Sequence, residues 1–410
     1  MTSKAIPDID ASNRGGRFAS VQFMLMTSMS CPARCEYCFG PRVGPNMSSE
    51  SLDLAIDFID RVVSETGQRS VSVTFHGGEP LMAGYDLLRN ALEGLSSRFG
   101  RERCILALQS NLWLLDERLC ALFSEYEVEI GTSLDGAHGI TDAHRGAGHF
   151  AKTMQGVDLA RKKGLKLGCV ATLLPDSASH LLETLDFFRE QRLPVSFRPL
   201  APVSSAGGVS NLITPDDYAN LVLDMLDYYL DHRGEMVIHS LDELCRSVAF
   251  SESELCTFRD CLGMFLVIDP YGEIYPCQRF CGFPECSLGR LGDRPVLSDL
   301  LSSPMPTWMA RREAQIDVEC GDCPHISHCR GGCAYSAWAS PDGPKAKDPY
   351  CSAYRAIFSE IRKRLVSEMR SEENLAAIAT EPPQKGSHPL LRRGPISEIL
   401  HLSSHRIGRY

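Results

Sequence analysis

From residue 18 to about residue 235, short β-rich runs alternate with helical segments of 12 to 18 residues, a pattern that folds as parallel strands joined by crossover helices. The runs near 18–29, 71–77, 104–111, 128–135, 165–173 and 194–200 are the expected strands. Between them, Leu52, Ala55, Ile56, Ile59 and Val62 recur at helical spacing within Ser49 to Val63, and Thr214 followed by Pro215 reads as the N-cap of a further helix. Six such units predict an α/β fold, a partial, TIM-like (β/α)6 barrel spanning residues 18–235. A closed eight-unit barrel needs about 250 residues, and the alternation stops too early for that. Residues 1–17 are then an N-terminal segment and 236–255 a linker.

Beyond residue 250 the text changes. Of the 17 cysteines in the 410 residues, 10 fall between Cys256 and Cys351. An odd number cannot pair completely, and clustered thiols in a reducing compartment serve metal or redox chemistry more often than disulfides. Strand-like text at Phe265 to Tyr275 turns at Asp269-Pro270-Tyr271-Gly272, and a final helix is expected near 351–369. Residues 256–370 therefore read as a small, cysteine-rich α+β domain stapled by metal. From 371 to 410 the Pro- and Gly-broken text predicts a largely disordered tail, whose His388, His401 and His405 are too irregularly spaced for a metal site. A formal charge of -10 argues against a nucleic-acid partner. No apolar run of about 18 residues and no signal-like start appear, so no membrane partner and a cytoplasmic location are expected.

Cys31-Pro32-Ala33-Arg34-Cys35-Glu36-Tyr37-Cys38 follows the first strand directly, at the carboxyl end where parallel α/β folds place their sites. Zinc sites usually close a tetrahedron with a second ligand pair elsewhere, and a zinc knuckle is the alternative here. Three thiolates in one short loop better suit a [4Fe-4S] cluster whose fourth iron stays open.

This Cys-x3-Cys-x2-Cys, with an aromatic residue before the third cysteine, resembles the signature of the radical S-adenosylmethionine superfamily. The resemblance implies catalytic roles for Cys31, Cys35 and Cys38 as ligands of a [4Fe-4S] cluster. It also implies S-adenosylmethionine as the second cofactor, cleaved by one electron to methionine and a 5'-deoxyadenosyl radical. His76-Gly77-Gly78-Glu79-Pro80 ends the second strand and resembles the family's Gly-Gly-Glu-Pro motif, in which backbone and Glu contact the cofactor's amino group; glycines there would let the chain approach a ligand closely. Tyr37, Gly77, Gly78, Glu79 and Pro80 are thus cofactor-binding candidates. So are Gln109 and Asn111 at the third strand end, and Ser133 and Asp135 at the fourth. Arg145 is the candidate carboxylate partner. Each of these alone is an ordinary turn or loop residue, and position gives them weight.

The later cysteines run Cys261-x10-Gly272-x4-Cys277, then Cys320-x2-Cys323-x5-Cys329-x3-Cys333, then Cys351. This resembles the seven-cysteine SPASM domain at the carboxyl end of many peptide- and protein-modifying radical enzymes. The resemblance implies two auxiliary [4Fe-4S] clusters, three in all. Cys256, Cys261, Cys277 and Cys333 would hold the first, with Cys245 or an open iron as the alternative to Cys256. Cys320, Cys323, Cys329 and Cys351 would hold the second. Cys104, Cys120 and Cys169 are expected as small core residues. Cys281 and Cys286 lie beside a proposed ligand and are either structural or substrate-facing thiols.

The function implied is a peptide maturase that forms a carbon–sulfur or carbon–carbon bond in a ribosomally made peptide. An anaerobic sulfatase maturase, forming formylglycine, is the alternative. That family has an Asp after the cysteine matching Cys277, where this chain has Gln278, which cannot serve as a base. An iron–sulfur electron carrier is the reading from another class. The expected partners are a peptide or protein substrate, a reductant such as flavodoxin or ferredoxin, and a separate leader-peptide-binding protein, since about 17 residues before the first strand cannot form such a module. The 200–213 loop or the tail could take that role instead.

Overall fold

The computed structural model describes residues 21–202 except 39 and 41, residues 212–340 except 233, and residues 344–370. The N-terminal segment 1–17, most of the 200–213 loop and the 371–410 tail with its three histidines lie outside the described residues.

The first part of the chain runs β1 (Gln22–Ser28), α1 (Ser49–Thr66), β2 (Val71–Gly77), α2 (Tyr85–Phe99), β3 (Cys104–Gln109), α3 (Glu117–Glu125), β4 (Glu129–Ser133), α4 (His138–Arg145), α5 (His149–Lys162), β5 (Leu167–Leu173), α6 (Leu181–Glu190) and β6 (Val195–Pro199). Then come α7 (Pro215–Asp231), α8 (His239–Phe250), β7 (Phe265–Ile268), β8 (Glu273–Tyr275) and β9 (Gly289–Arg290). The remaining helices are α9 (Leu297–Leu301), α10 (Pro304–Glu319), α11 (Ile326–Cys329), α12 (Ala334–Trp338) and α13 (Cys351–Arg370). Strands β1 to β6 are parallel and pair in sequence order, which makes the expected six-stranded partial barrel.

Local chemistry explains the helices that brace it. Ser48 caps α1 by accepting from Ser51 N–H, and Gly67, at φ 66°, ends it by returning its N–H to Val63. The α1 stripe of Leu52, Ala55, Ile56, Ile59 and Val62 is buried. On the strands the pleat sorts side chains by size. Phe23, Leu25, Val73, Phe75, Leu106 and Ile130 are at most 3% exposed and pack in the main core. The alternate positions carry small or polar residues such as Ser72, Thr74, Ala107, Gly131, Thr172 and Ser196, and these line an internal cavity. Bulky branched side chains would fill a barrel of this kind; these leave it open.

The sheet continues past β1. β7 adds to it in parallel, from Gln22 opposite Phe265 to Leu25 opposite Ile268, and β8 and β9 follow antiparallel. The β7–β8 turn is the expected Asp269-Pro270-Tyr271-Gly272 hairpin, with Gly272 at φ 79°. At the other edge Val195 bridges to Ile238. Both edges of the barrel are thus covered. The segment 236–255, expected as a linker, carries α8. Its Leu241, Leu244 and Cys245 join a second core with α7 and α13. The long helix α10 within the cysteine-rich region was not foreseen. Among the described residues no helix is long and apolar enough to cross a membrane.

Candidate active site

All 17 cysteines are free thiols. Cys31, Cys35 and Cys38, each half-buried, sit on the loop after β1, just past a slip of register between Met26 and Ser28. Arg42 Nη2 donates to Cys35 O at 2.9 Å, and Glu36 N–H donates to His144 O at 3.0 Å, so the loop is tied to its own return and to α4. Asn111 Nδ2 points at Cys31 Sγ, 3.7 Å away. Burial pushes the Cys31 thiol up to about 12, with Glu79, Cys35 and Cys38 adding to it, and burial raises Cys35 as well. Thiols this reluctant to ionise become thiolates when a metal centre supplies the compensating charge.

The other strand ends converge on this loop, and several of the candidate residues also make contacts within the protein. Gly77 and Gly78 approach the protein's own chain: a Cβ at Gly77 would stand 2.1 Å from Ser28 O, and one at Gly78 2.6 Å from Ser30 O. Their glycines let Gly78 N–H and Glu79 N–H each donate at 2.8 Å to Ser28 O and Ser30 O. Glu79 is 1% exposed and spends its carboxylate on Leu81 N–H, Ser110 Oγ and Asn111 N–H. Burial raises it to about 7 against those three bonds. It fixes the end of β3 against the end of β2 and does not line the cavity; Pro80 is buried too. Asp135 is likewise engaged, accepting from Arg145, from Tyr37 OH at 2.6 Å and from Thr172 N–H at 2.9 Å. Tyr37, Gly77, Gly78, Gln109, Asn111, Ser133 and Arg145 all face the cavity. Gln109 Nε2 is held by Ser133 Oγ at 2.9 Å.

That cavity, about 930 Å³, runs from the Cys31–Cys38 loop to Cys256, Cys261, Cys277 and Cys333. Those four thiols lie within electrostatic reach of one another: burial raises Cys261, and Cys277, Cys333 and Cys256 add to the effect. Cys320, Cys323, Cys329 and Cys351 form a second neighbourhood. There burial raises Cys329 to about 12, with Cys351 and Cys323 contributing, and the same burial raises Cys320 and Cys351. Cys245, the alternative to Cys256, is fully buried in the second core beside Tyr229. Cys281 and Cys286 are 5% and 0% exposed, pack in the main core and do not line the cavity, so neither faces a substrate there. Cys120 and Cys169 are core residues, and Cys104 is half-buried at the start of β3.

Among the described residues no three His, Cys, Asp or Glu side chains converge as ligands of one metal ion do. A cubane keeps its thiolates apart by its own width, and three unpaired thiols facing a roomy cavity fit that demand, with polar strand ends beside them for a ligand on the open iron. Three further residues escaped the sequence reading. Glu243 on α8 lines the cavity with a buried Oε2 that has no hydrogen-bond partner, and burial raises its carboxyl. Arg279 lines the cavity beside the first of the later cysteine sets. Asp348 accepts from Cys333 N–H and Tyr350 N–H, each at 2.8 Å, and so joins the two later sets. The only sequence signal for these was their nearness to cysteines.

Comparison with known proteins places this geometry. Residues 26–188 match the family model described as the Radical SAM superfamily. A protein of Methanothermobacter thermautotrophicus described as uncharacterized is 36% identical over 228 residues, covering 55% of this chain and 85% of that one. A serine-type anaerobic sulfatase-maturating enzyme of Bacteroides thetaiotaomicron is 25% identical over 361 residues, 81% of this chain and 86% of the relative. Among solved structures, native anSMEcpe with bound AdoMet and Cp18Cys peptide superposes with a TM-score of 0.74 at 23% identity, covering 85% of this chain and 98% of that one. Streptococcus suis SuiB bound to precursor peptide SuiA gives 0.60 at 17% identity, over 81% of this chain and 75% of that one. These two likenesses carry the fold.

Proposed function

We propose that this chain, which belongs to the radical S-adenosylmethionine superfamily, takes a hydrogen atom from a peptide or protein substrate held in its barrel and installs a carbon–sulfur or carbon–carbon cross-link. It is an enzyme whose cofactors are a [4Fe-4S] cluster and S-adenosylmethionine. Bound together, these supply the 5'-deoxyadenosyl radical. The chain's own residues hold, orient and enclose. Cys31, Cys35 and Cys38 hold the cluster, with Asn111 beside Cys31. Gln109 and Ser133 from the ends of β3 and β4, and Arg145 from the end of α4, present polar groups to the cofactor. Glu79 and Asp135 position those ends.

The observation that carries the reading is the single cavity that reaches both the Cys31–Cys38 loop and the Cys256, Cys261, Cys277, Cys333 set. A substrate in it touches the radical source at one end and an electron acceptor at the other. Residues 256–370 act as a SPASM domain in this reading, with one auxiliary [4Fe-4S] cluster on that set and another on Cys320, Cys323, Cys329 and Cys351.

Formylglycine formation is the second reading, favoured by the sulfatase-maturating relative, which aligns over 81% of this chain. Gln278 weighs against it. It lines the cavity with a buried, unpartnered Oε1, and an amide takes up no proton at neutral pH. Glu243, one of four carboxylates lining the cavity with Asp242, Glu254 and Asp260, is placed to accept a proton in either reading.

Anaerobically reconstituted protein, reductant and S-adenosylmethionine should yield 5'-deoxyadenosine; none would overturn the radical-enzyme reading. A cysteine-bearing peptide co-expressed with the chain should lose two hydrogens per cross-link by mass spectrometry. A hydrazide-reactive aldehyde in its place would establish the formylglycine reading.

A further inference from the structure

We propose that Arg279 is the charge-compensating residue of the first auxiliary cluster and sets its reduction potential, an inference that rests on assigning Cys256, Cys261, Cys277 and Cys333 to that cluster. Arg279 lies two residues after Cys277, in a short turn of Gln278–Phe280, and lines the inner cavity. Its Nη1 points at Cys333 Sγ, 3.8 Å away, and its guanidinium lies 5.9 Å from the centre of the Tyr335 ring. Among the described residues no carboxylate stands within 4.0 Å of it. Other arginines are answered differently: Arg145 is paired with Asp135 at 2.8 Å and Arg330 with Asp260 at 2.8 Å, while Arg312, which also bears on Cys261, gives its Nη2 to Gly331 O and Gly332 O.

A guanidinium inside a protein without an anion is strongly disfavoured. The groups that answer the Arg279 charge are the thiols of Cys333, Cys277 and Cys256, three of the four proposed ligands. Neutral thiols offer a cation little. Four thiolates on a [4Fe-4S] cluster offer it a net negative charge, which grows by one when the cluster takes up an electron. A fixed cation beside that charge favours the reduced form and so raises the potential. Arg279 lines the same cavity as the four thiols, at the end where an electron leaving the substrate would arrive.

The test uses the full chain, anaerobically reconstituted, as wild type, Arg279→Lys and Arg279→Gln. Iron and sulfide per chain are counted, and the midpoints are read by potentiometric titration with dithionite, followed by electron paramagnetic resonance. The signal of the first auxiliary cluster is assigned by its loss in Cys261→Ala. The expected result is a midpoint shifted to more negative potential in Arg279→Gln and restored toward wild type in Arg279→Lys, while the other two clusters do not move. Loss of that one cluster in Arg279→Gln with retention in Arg279→Lys supports the same role. Three unmoved midpoints with full iron in Arg279→Gln overturn the inference and leave the ligand assignment standing. Equal loss in both variants overturns it too, because lysine keeps the charge. Iron for fewer than three clusters in the wild type overturns the ligand assignment and the inference with it.

Discussion

Arg145 holds Asp135 through two parallel hydrogen bonds, Nε to Oδ2 at 2.9 Å and Nη2 to Oδ1 at 2.8 Å, with both side chains under a tenth exposed. The same carboxylate accepts from Tyr37 on the cysteine loop and from Thr172 on β5. One carboxylate therefore joins α4, β4, β5 and the loop that carries the cluster ligands. Arg145 is left facing the cavity with its orientation fixed.

Lysine at position 145 carries the charge without the fork. Arg145→Lys should keep the charge opposite Asp135 but lose one of the two hydrogen bonds, at a cost of about 1.5–3 kcal/mol, read as a lower midpoint in thermal unfolding. Affinity for S-adenosylmethionine, measured by equilibrium dialysis on reconstituted protein, should fall by about tenfold or more through the loss of a charge-assisted, oriented donor. Wild-type values of both quantities would show that the pair serves neither purpose.

The two cysteine regions should separate by activity. Cys35→Ala should abolish 5'-deoxyadenosine formation, because the loop then lacks one of its three thiols. Cys323→Ala should leave part of that cleavage, uncoupled from product, because Cys323 belongs to the other neighbourhood with Cys320, Cys329 and Cys351. Chromatography of 5'-deoxyadenosine and mass spectrometry of the peptide read the two activities. Equal loss of both in a folded Cys323→Ala protein would remove the distinction.

The parallel barrel was legible because its signal is periodic and local: strand runs, helical stripes such as Leu52 to Val62, and the cap Thr214 all lie within a few residues of what they determine. The grouping of the later cysteines was suggested by a resemblance in their spacing. Long-range geometry was not. No local signal tells Phe265 to Ile268 to pair in parallel with β1, and α10 was hidden by its setting among cysteines, although Met305, Met309 and Ile316 form its buried face. At the site, motif reading named strand ends without showing what else they touch. Gly77, Gly78, Glu79 and Asp135 bind the protein's own backbone and side chains. Their hydrogen bonds set where the cavity-facing residues stand, a relation visible only once the strands lie side by side.

A pH dependence follows from the β7–β8 turn. Asp269 is 3% exposed and accepts through Oδ1 from Tyr271 N–H and Glu273 N–H, both at 2.9 Å. Burial raises its carboxyl to about 6, with Glu273 adding to the rise. A carboxyl raised in the folded state favours folding below its unfolded value, and that contribution is lost as pH climbs through about 6. The loss is on the order of 2–3 kcal/mol between about pH 4 and pH 7. Asp269→Asn keeps the acceptor and removes the titration, so its thermal midpoint should fall less than that of the wild type over this range. Parallel profiles would show that Asp269 titrates normally.

Asp348 gives the most direct test of how the cysteine-rich region is assembled. It is 2% exposed, its Oδ2 accepts from Cys333 N–H and its Oδ1 from Tyr350 N–H, and its own N–H donates to Gly331 O at 2.9 Å. Gly332 makes room for it: a Cβ there would stand 2.4 Å from Asp348 Cβ. The link matters because Cys333 belongs to one thiol set and Cys351, next to Tyr350, to the other. Asp348→Ala leaves two buried N–H groups unpaired, at about 1–3 kcal/mol each. The reconstituted variant should unfold at lower temperature and lose iron from both later sets, while the Cys31–Cys38 loop keeps its cluster and some cleavage of S-adenosylmethionine persists. Asp348→Asn, which keeps an acceptor for one of the two donors, should lie between Asp348→Ala and the wild type. Full iron content in Asp348→Ala would mean that the two sets are held in place without this carboxylate.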